Sequence, residues 1–199
     1  MSAVARSGAQ RASRHRMLGI ASMLVLGALL TLAPTTAAAE WSSSRSQSVE
    51  SYYLRLLNCT RTGGWVGSDG SCKGYGSGQY SAYRPPLRLS SGISTYVARP
   101  YAKLLARRSA CSHFLDGNPG TRLRRAGYTS YRWAENISCG GGRSEPYASV
   151  LSTHRYFQSE KSYGGGHWVN MKDPRYNMVG IGVWQYGSAV RLVVDFYHP

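Results

Sequence analysis

Four cysteines, Cys59, Cys72, Cys111 and Cys139, all lie downstream of a stretch that reads as an export signal, and this constrains the fold more than any other feature of the chain. Arg6, Arg11, Arg14 and Arg16 precede an apolar run over residues 17–33, and Ala37, Ala38 and Ala39 follow it. That is a charged region, an apolar region and a small-residue cleavage site. The run is at the short end of the ~20 apolar residues a membrane-spanning helix needs, and small residues interrupt it. Residues 1–39 are therefore expected to be removed before Glu40. No adjacent arginine pair precedes the run, which points to the general secretion route rather than the twin-arginine one. In an oxidising compartment an even number of cysteines argues for bridges. Of the three possible connectivities, Cys59 with Cys72 and Cys111 with Cys139 is favoured, because each pair encloses a coherent segment and the two do not cross. No closely spaced C-x-x-C pair supports a zinc site built from the cysteines.

Residues 40–199 are one domain's worth of chain, without a further apolar span or an internal repeat. From Glu40 on, 20 basic residues face nine acidic ones, a formal charge of +11. Such a surface attracts anionic polymers, and for an exported protein these are acidic glycans, wall polymers or anionic lipid headgroups rather than a specific nucleic acid. The same charge also serves plain solubility. A monomer is expected, released or associated with the cell wall.

Residues 40–48 are Ser-rich and read as a flexible leader to a domain over residues 49–199. Val49, Tyr52, Tyr53, Leu56 and Leu57 follow the helical period. A Gly/Ser-rich loop over residues 62–81 comes next, tied down by the first bridge. Ile93, Tyr96, Val97, Tyr101, Leu104 and Leu105 predict a second helix, capped by Ser90 or Ser91, that kinks or begins at Pro100. Asn118, Pro119 and Gly120 read as a turn, and Arg122, Arg124 and Arg125 as a basic cluster. In residues 131–139, Trp133, Glu135 and Ile137 share one face if the segment is a strand. Ser144, Glu145 and Pro146 start a third helix with the stripe Tyr147, Val150, Leu151, His154 and Phe157, stopped at Gly164–Gly166. Residues 179–196 alternate as a hairpin that turns at Tyr186, Gly187 and Ser188. Three amphipathic helices and three or four strands in mixed order make an α+β domain, a sheet layered with helices.

Four segments stand out together: CSHF around His113, WAENIS around Glu135, YFQSEKSY around Glu160 and GGHWVN around His167, followed by YNMVGIGVW. In this order and spacing they resemble the CAP or SCP superfamily (cysteine-rich secretory protein, antigen 5, pathogenesis-related 1 type domain), in particular its bacterial secreted branch, over residues 49–199. The resemblance implies a three-layer α-β-α sandwich with a mixed, mainly antiparallel central sheet. It also implies a cleft lined by His113, Glu135, Glu160 and His167. In some relatives the histidines hold a divalent metal, and in others the domain binds sterols or fatty acids in separate grooves. Bacterial members often shorten the approach to the second histidine and lose the second glutamate. Here Glu160 is present and residues 162–166 lengthen that approach.

Glu135, on a face with Trp133 and Ile137, has to be paired, hydrogen-bonded or neutral, and a neighbouring histidine would satisfy it. Glu160 lies one helical turn after Phe157, at the rim of the third helix's stripe. His167 follows the glycines, where a loop can aim it back. Imidazoles suit zinc and carboxylates can orient them, so His113 and His167 are the candidate ligands of a divalent metal. The same four side chains can instead form a satisfied buried network that only fixes the fold. His154, on the third helix's stripe, reads as a core residue, and Asn136 as too enclosed for glycosylation. Neither a nucleophile elbow nor a metalloprotease helix is present. The expectation is a non-enzymatic binding module for a lipid or an anionic envelope ligand. The alternative is a hydrolase using Glu135 and Glu160 as acid and base, or a metal-activated water.

Overall fold

A computed structural model describes residues 41–140 and 145–199. The expected signal over residues 1–39 and the helix-start residue Ser144 lie outside the described residues. Helix α1 spans Ser43–Arg61, and a two-stranded ribbon of β1 (Trp65–Val66) and β2 (Cys72–Lys73) follows it. Strand β3 (Arg88–Leu89) leads into a helical stretch made of α2 (Ser91–Ile93), a π turn (Ser94–Ala98) and α3 (Arg99–Arg107). Then come α4 (Pro119–Arg125), β4 (Trp133–Ser138), α5 (Pro146–Ser159), a 3-10 turn (Glu160–Ser162) and α6 (Gly166–Lys172). Strands β5 (Met178–Tyr186) and β6 (Ala189–Tyr197) close the chain.

The main sheet has the order β3-β5-β6-β4, with β3 parallel to β5 and the other pairs antiparallel. Helices α1 and α5 pack on one face and the π turn with α3 on the other, so the architecture is α+β in three layers, as expected. The β5–β6 hairpin registers Tyr186 with Ala189, leaving Gly187 and Ser188 as a two-residue turn. Gly187 sits at φ 57°, where glycine meets no Cβ penalty. On β5, Val179, Ile181 and Val183 are fully buried on one face, and the intervening glycines let a helix lie on the other. A Cβ on Gly182 would stand 2.2 Å from the Ala98 carbonyl carbon, and one on Gly180 would stand 2.2 Å from Ile93 Cγ2.

Pro100 lies in the first turn of α3, close to the expected start, although a π turn and α2 precede it without a break. Its missing N–H falls where the π turn meets α3, so the helical path runs on from Ser91 to Arg107. Ser90 caps it, accepting from the Ile93 N–H at 3.2 Å.

The flexible leader is corrected from residue 41 onward. Helix α1 begins at Ser43, capped by Ser42, and Trp41 is buried with its indole N–H donating to Gln185. The Ser-rich composition hid this helix because its first turns bury only single residues such as Ser46. Both expected bridges are present, with Cα–Cα distances of 5.9 Å for Cys59–Cys72 and 5.4 Å for Cys111–Cys139.

The interior holds polar groups that hydrogen bonds account for. Arg61 is 1% exposed and donates to the carbonyls of Pro85, Met171, Asp173 and Tyr176 at 2.6–3.0 Å, which pins the end of α1 to the end of α6. Burial pushes its guanidinium down to about 10. Glu50 and Arg99 form a buried two-point ion pair at 2.9 and 2.6 Å between α1 and α3. His154 is a core residue, as expected: it is fully buried, and its Nε2–H donates to Thr60 Oγ1 at 2.8 Å.

Candidate functional site

Strand β4 is one edge of the main sheet, and its Ala-Glu-Asn run builds the site because successive residues face opposite sides. Glu135 points to one side. Its Oε1 accepts from His113 Nδ1–H at 2.7 Å, and its Oε2 accepts from Arg122 Nη2–H. Asn136, fully buried on the other side, donates to the His167 carbonyl at 3.0 Å and accepts from Asn170 at 2.8 Å. The second half is assembled at the junction of α5 and α6. Glu160 there accepts from His167 Nδ1–H at 2.7 Å and from the His167 and Trp168 backbone N–H groups at 2.9 and 3.3 Å. Gly165 is required at this junction, since a Cβ would stand 2.6 Å from Glu160 Oε2.

The two imidazoles open into one cavity of about 490 Å³. The Cys111–Cys139 bridge joins the His113 loop to the end of β4 along its wall, and α5 contributes Ser149, Ser152, Thr153, Tyr156 and Phe157. His167 stacks on Phe157, with centroids 4.1 Å apart and planes within 12°. In each histidine Nδ1 is engaged by a carboxylate, which leaves Nε2 as the nitrogen available to a ligand. Neither Glu135 nor Glu160 lines the cavity; their side chains are 1% and 5% exposed and lie behind the rings they orient.

The structure thus brings His113, Glu135, Glu160 and His167 together as two histidine–carboxylate pairs on one hollow. Three local expectations are corrected. His167 lies in the first turn of α6 rather than in a loop, because the chain re-enters a helix at the third of the three glycines, Gly166. Pro119 and Gly120, expected in a turn with Asn118, instead open α4, capped by the Asn118 side chain accepting from Thr121 N–H at 2.8 Å. Arg122 leaves the basic cluster for the interior, at 5% exposure, while Arg124 and Arg125 remain exposed.

Sequence reasoning missed Arg122 as a site residue. Its guanidinium lies 3.5 Å from the centroid of Tyr101, donates to the carbonyls of His113 and Gly117 at 2.9 and 2.7 Å, and pairs with Glu135. The available signal was its place between Leu123 and a helix-capping Asn118, which puts it on the inward side of a short helix. Asp195 was missed as well. It is fully buried on β6 directly opposite Glu135, and burial first, then the negative charge of Glu135, pushes its carboxyl well above the usual carboxylate range.

An extracellular protein containing an SCP domain from Bacillus anthracis str. Ames superposes on the chain with a TM-score of 0.55 and 17% identity. The match covers 81% of this chain and 45% of that one. The chain has the SCP-domain fold. NaASP2, solved with Zn2+, superposes with a TM-score of 0.45 and 13% identity over 82% of each chain, a likeness too loose to carry an argument. No family model and no curated protein matches the sequence. The chain spans less than half the length of the Bacillus anthracis protein, so the likeness speaks for the SCP fold alone. Among the described residues of this SCP fold, no helix is long and apolar enough to cross a membrane. Nor does any group of three or more His, Cys, Asp or Glu side chains there suit a metal ion.

Proposed function

We propose that this protein is a secreted, non-enzymatic binding module that holds a lipid headgroup or a segment of an anionic envelope polymer in the His113–His167 cleft. The observation that carries the reading is the pair of imidazoles. Each is oriented by its own buried carboxylate, and the two reach one cavity from opposite sides of the edge strand. The hydroxyls of Ser149, Ser152 and Thr153 and the imidazole Nε2 atoms, which accept from ligand O–H groups, suit oxygen-rich ligands, and the formal charge of +11 from Glu40 on favours anionic ones. Disulfides and the expected export signal support an extracellular setting.

Zinc fits the donor types, with Nδ1 fixed by a carboxylate and Nε2 available in both rings. His113 and His167 would hold such an ion, Glu135 and Glu160 would orient them, and the remaining ligands would come from water or from the bound molecule. A bound ion would supply a positive charge for an anionic ligand. A hydrolase built on the two carboxylates draws less support, because both lie behind the imidazoles and away from the cavity.

Flotation with anionic liposomes and co-sedimentation with cell-wall polymers at physiological salt test the module. Binding to either, lost in a His113→Ala/His167→Ala double variant, is expected. Absence of both would overturn the reading. Calorimetric titration with zinc tests the metal, and equal heats from wild type and double variant would remove it.

A further inference from the structure

Behind the His113 half of the cleft lies a buried acid that no hydrogen-bond donor serves. Asp195 is fully buried, opposite Glu135 in the β4–β6 ladder and opposite Gly180 in the β5–β6 ladder. Residues directly opposite one another project from the same face of a sheet, so the two carboxyl groups stand side by side. Neither oxygen of Asp195 has a hydrogen-bond partner in the structure. Each oxygen of Glu135, by contrast, already accepts one bond, from His113 and from Arg122.

The charged groups acting on Asp195 are Glu135 from β4 and Arg122 from α4. Arg122 spends Nη2 on Glu135 and Nη1 on two carbonyls, and its Nε–H reaches no acceptor. Strand β5 offers only Gly180 at this level, with Ile93 packed over it. Of the titratable groups on the overlying helical stretch, Arg99 is committed to Glu50, Tyr101 donates to the Ser112 carbonyl at 2.5 Å, Lys103 lies over Trp184 and Arg107 is exposed at the far end. Tyr96 is 73% exposed and turned to solvent. A carboxylate cannot be kept buried with no donor and no cation of its own; it takes up a proton instead.

We infer that Asp195 is a neutral carboxylic acid in the folded protein, that its O–H donates to Glu135, and that it is a positioning residue for the His113 side of the cleft. Two carboxyl groups then carry one proton and one negative charge, which Arg122 balances. Glu135 receives three donors: the Arg122 guanidinium, the His113 Nδ1–H and the Asp195 O–H. Its carboxylate is fixed from three sides, and the His113 ring is held with Nε2 toward the cavity. The assignment concerns how the cleft is built and holds whatever ligand occupies it, so a failure to bind liposomes or polymers leaves it standing.

Two variants of the purified protein test it. Asp195→Asn keeps a donor for Glu135 but cannot titrate, and Asp195→Leu removes the donor at similar volume. The infrared difference spectrum of wild type minus Asp195→Asn at pH 7 is expected to show the carbonyl stretch of a protonated carboxyl. A folded-state carboxyl raised above its unfolded value makes stability fall as pH rises from the unfolded Asp value near 4. The ratio of the folding constants of wild type and Asp195→Asn should therefore drop by up to tenfold per pH unit above that point. The nitrogen NMR signature of the His113 ring should match wild type in Asp195→Asn and change in Asp195→Leu. A spectrum without the acid band, parallel stability profiles, or a His113 signature unchanged in a folded Asp195→Leu would overturn the assignment.

Discussion

Arg122→Met tests whether the buried guanidinium holds the His113 half of the site together. The replacement keeps an unbranched side chain of similar length over Tyr101, but removes three bonds: the ion pair to buried Glu135 and the donations to the His113 and Gly117 carbonyls. Both charged partners are less than 5% exposed at the side chain, so the surface-pair value near zero does not apply. Breaking a buried pair by removing one partner costs about 3–5 kcal/mol, because the remaining charge is left uncompensated. With a urea dependence of about 1–3 kcal/mol per molar, the unfolding midpoint should fall by at least about 1 M at pH 7. The sign of the pH dependence is set by what remains. In the variant a carboxylate stands without its cation, and protonating it relieves the penalty, so the loss should shrink as pH is lowered from 7 to 4. Urea titrations of wild type and variant at both pH values, followed by tryptophan fluorescence, measure this. A loss under about 1 kcal/mol at pH 7, or an equal loss at both pH values, would refute the claim that Arg122 acts as the counter-charge of Glu135.

Three further outcomes follow from the same structure. Replacing Cys111 and Cys139 by serine opens a crosslink spanning 28 residues, for which the chain-entropy relation gives a loss of about 3.5 kcal/mol in denaturant melts. The variant should also lose protection from hydrogen exchange in the loop that carries His113. Gly182→Ala drives a methyl into the backbone of Ala98, which cannot give way as a side chain can, and should destabilise by about 1–3 kcal/mol or abolish folding. Burial pushes His154 down to about 3 from an ordinary 6.5, so stability should fall as pH drops below about 6.5, by up to ~1.4 kcal/mol per unit. His154→Gln should flatten that acid limb in pH-dependent thermal melts, and an unchanged limb would assign the loss to other groups.

Much of this protein was readable one residue at a time. The β5–β6 hairpin announced itself through alternation and a Gly-Ser turn, and α5 through Pro146 and its apolar stripe. The bridges could be paired because short, uncrossed loops close easily in an oxidising compartment. Glu135 was marked by its company, since a carboxylate between Trp133 and Ile137 demands a partner. These features depend on neighbours a few residues apart, where period, cap and turn chemistry act.

What the sequence could not decide depends on which distant groups share an enclosed space. Arg122, Arg124 and Arg125 are the same residue type within four positions, yet only packing of α4 against β4 buries the first and leaves the others in solvent. The Ser-rich start of α1 carries no strong period, and it is ordered by Trp41 reaching Gln185 across 144 residues. Asp195 reads locally as one polar residue in an apolar strand, and its chemistry comes from the register that sets it against Glu135. Burial and register are properties of the assembled sheet and helices. The ionisation of a carboxyl or guanidinium follows from the water it loses and the charges it meets there, and neither quantity exists until the chain has folded.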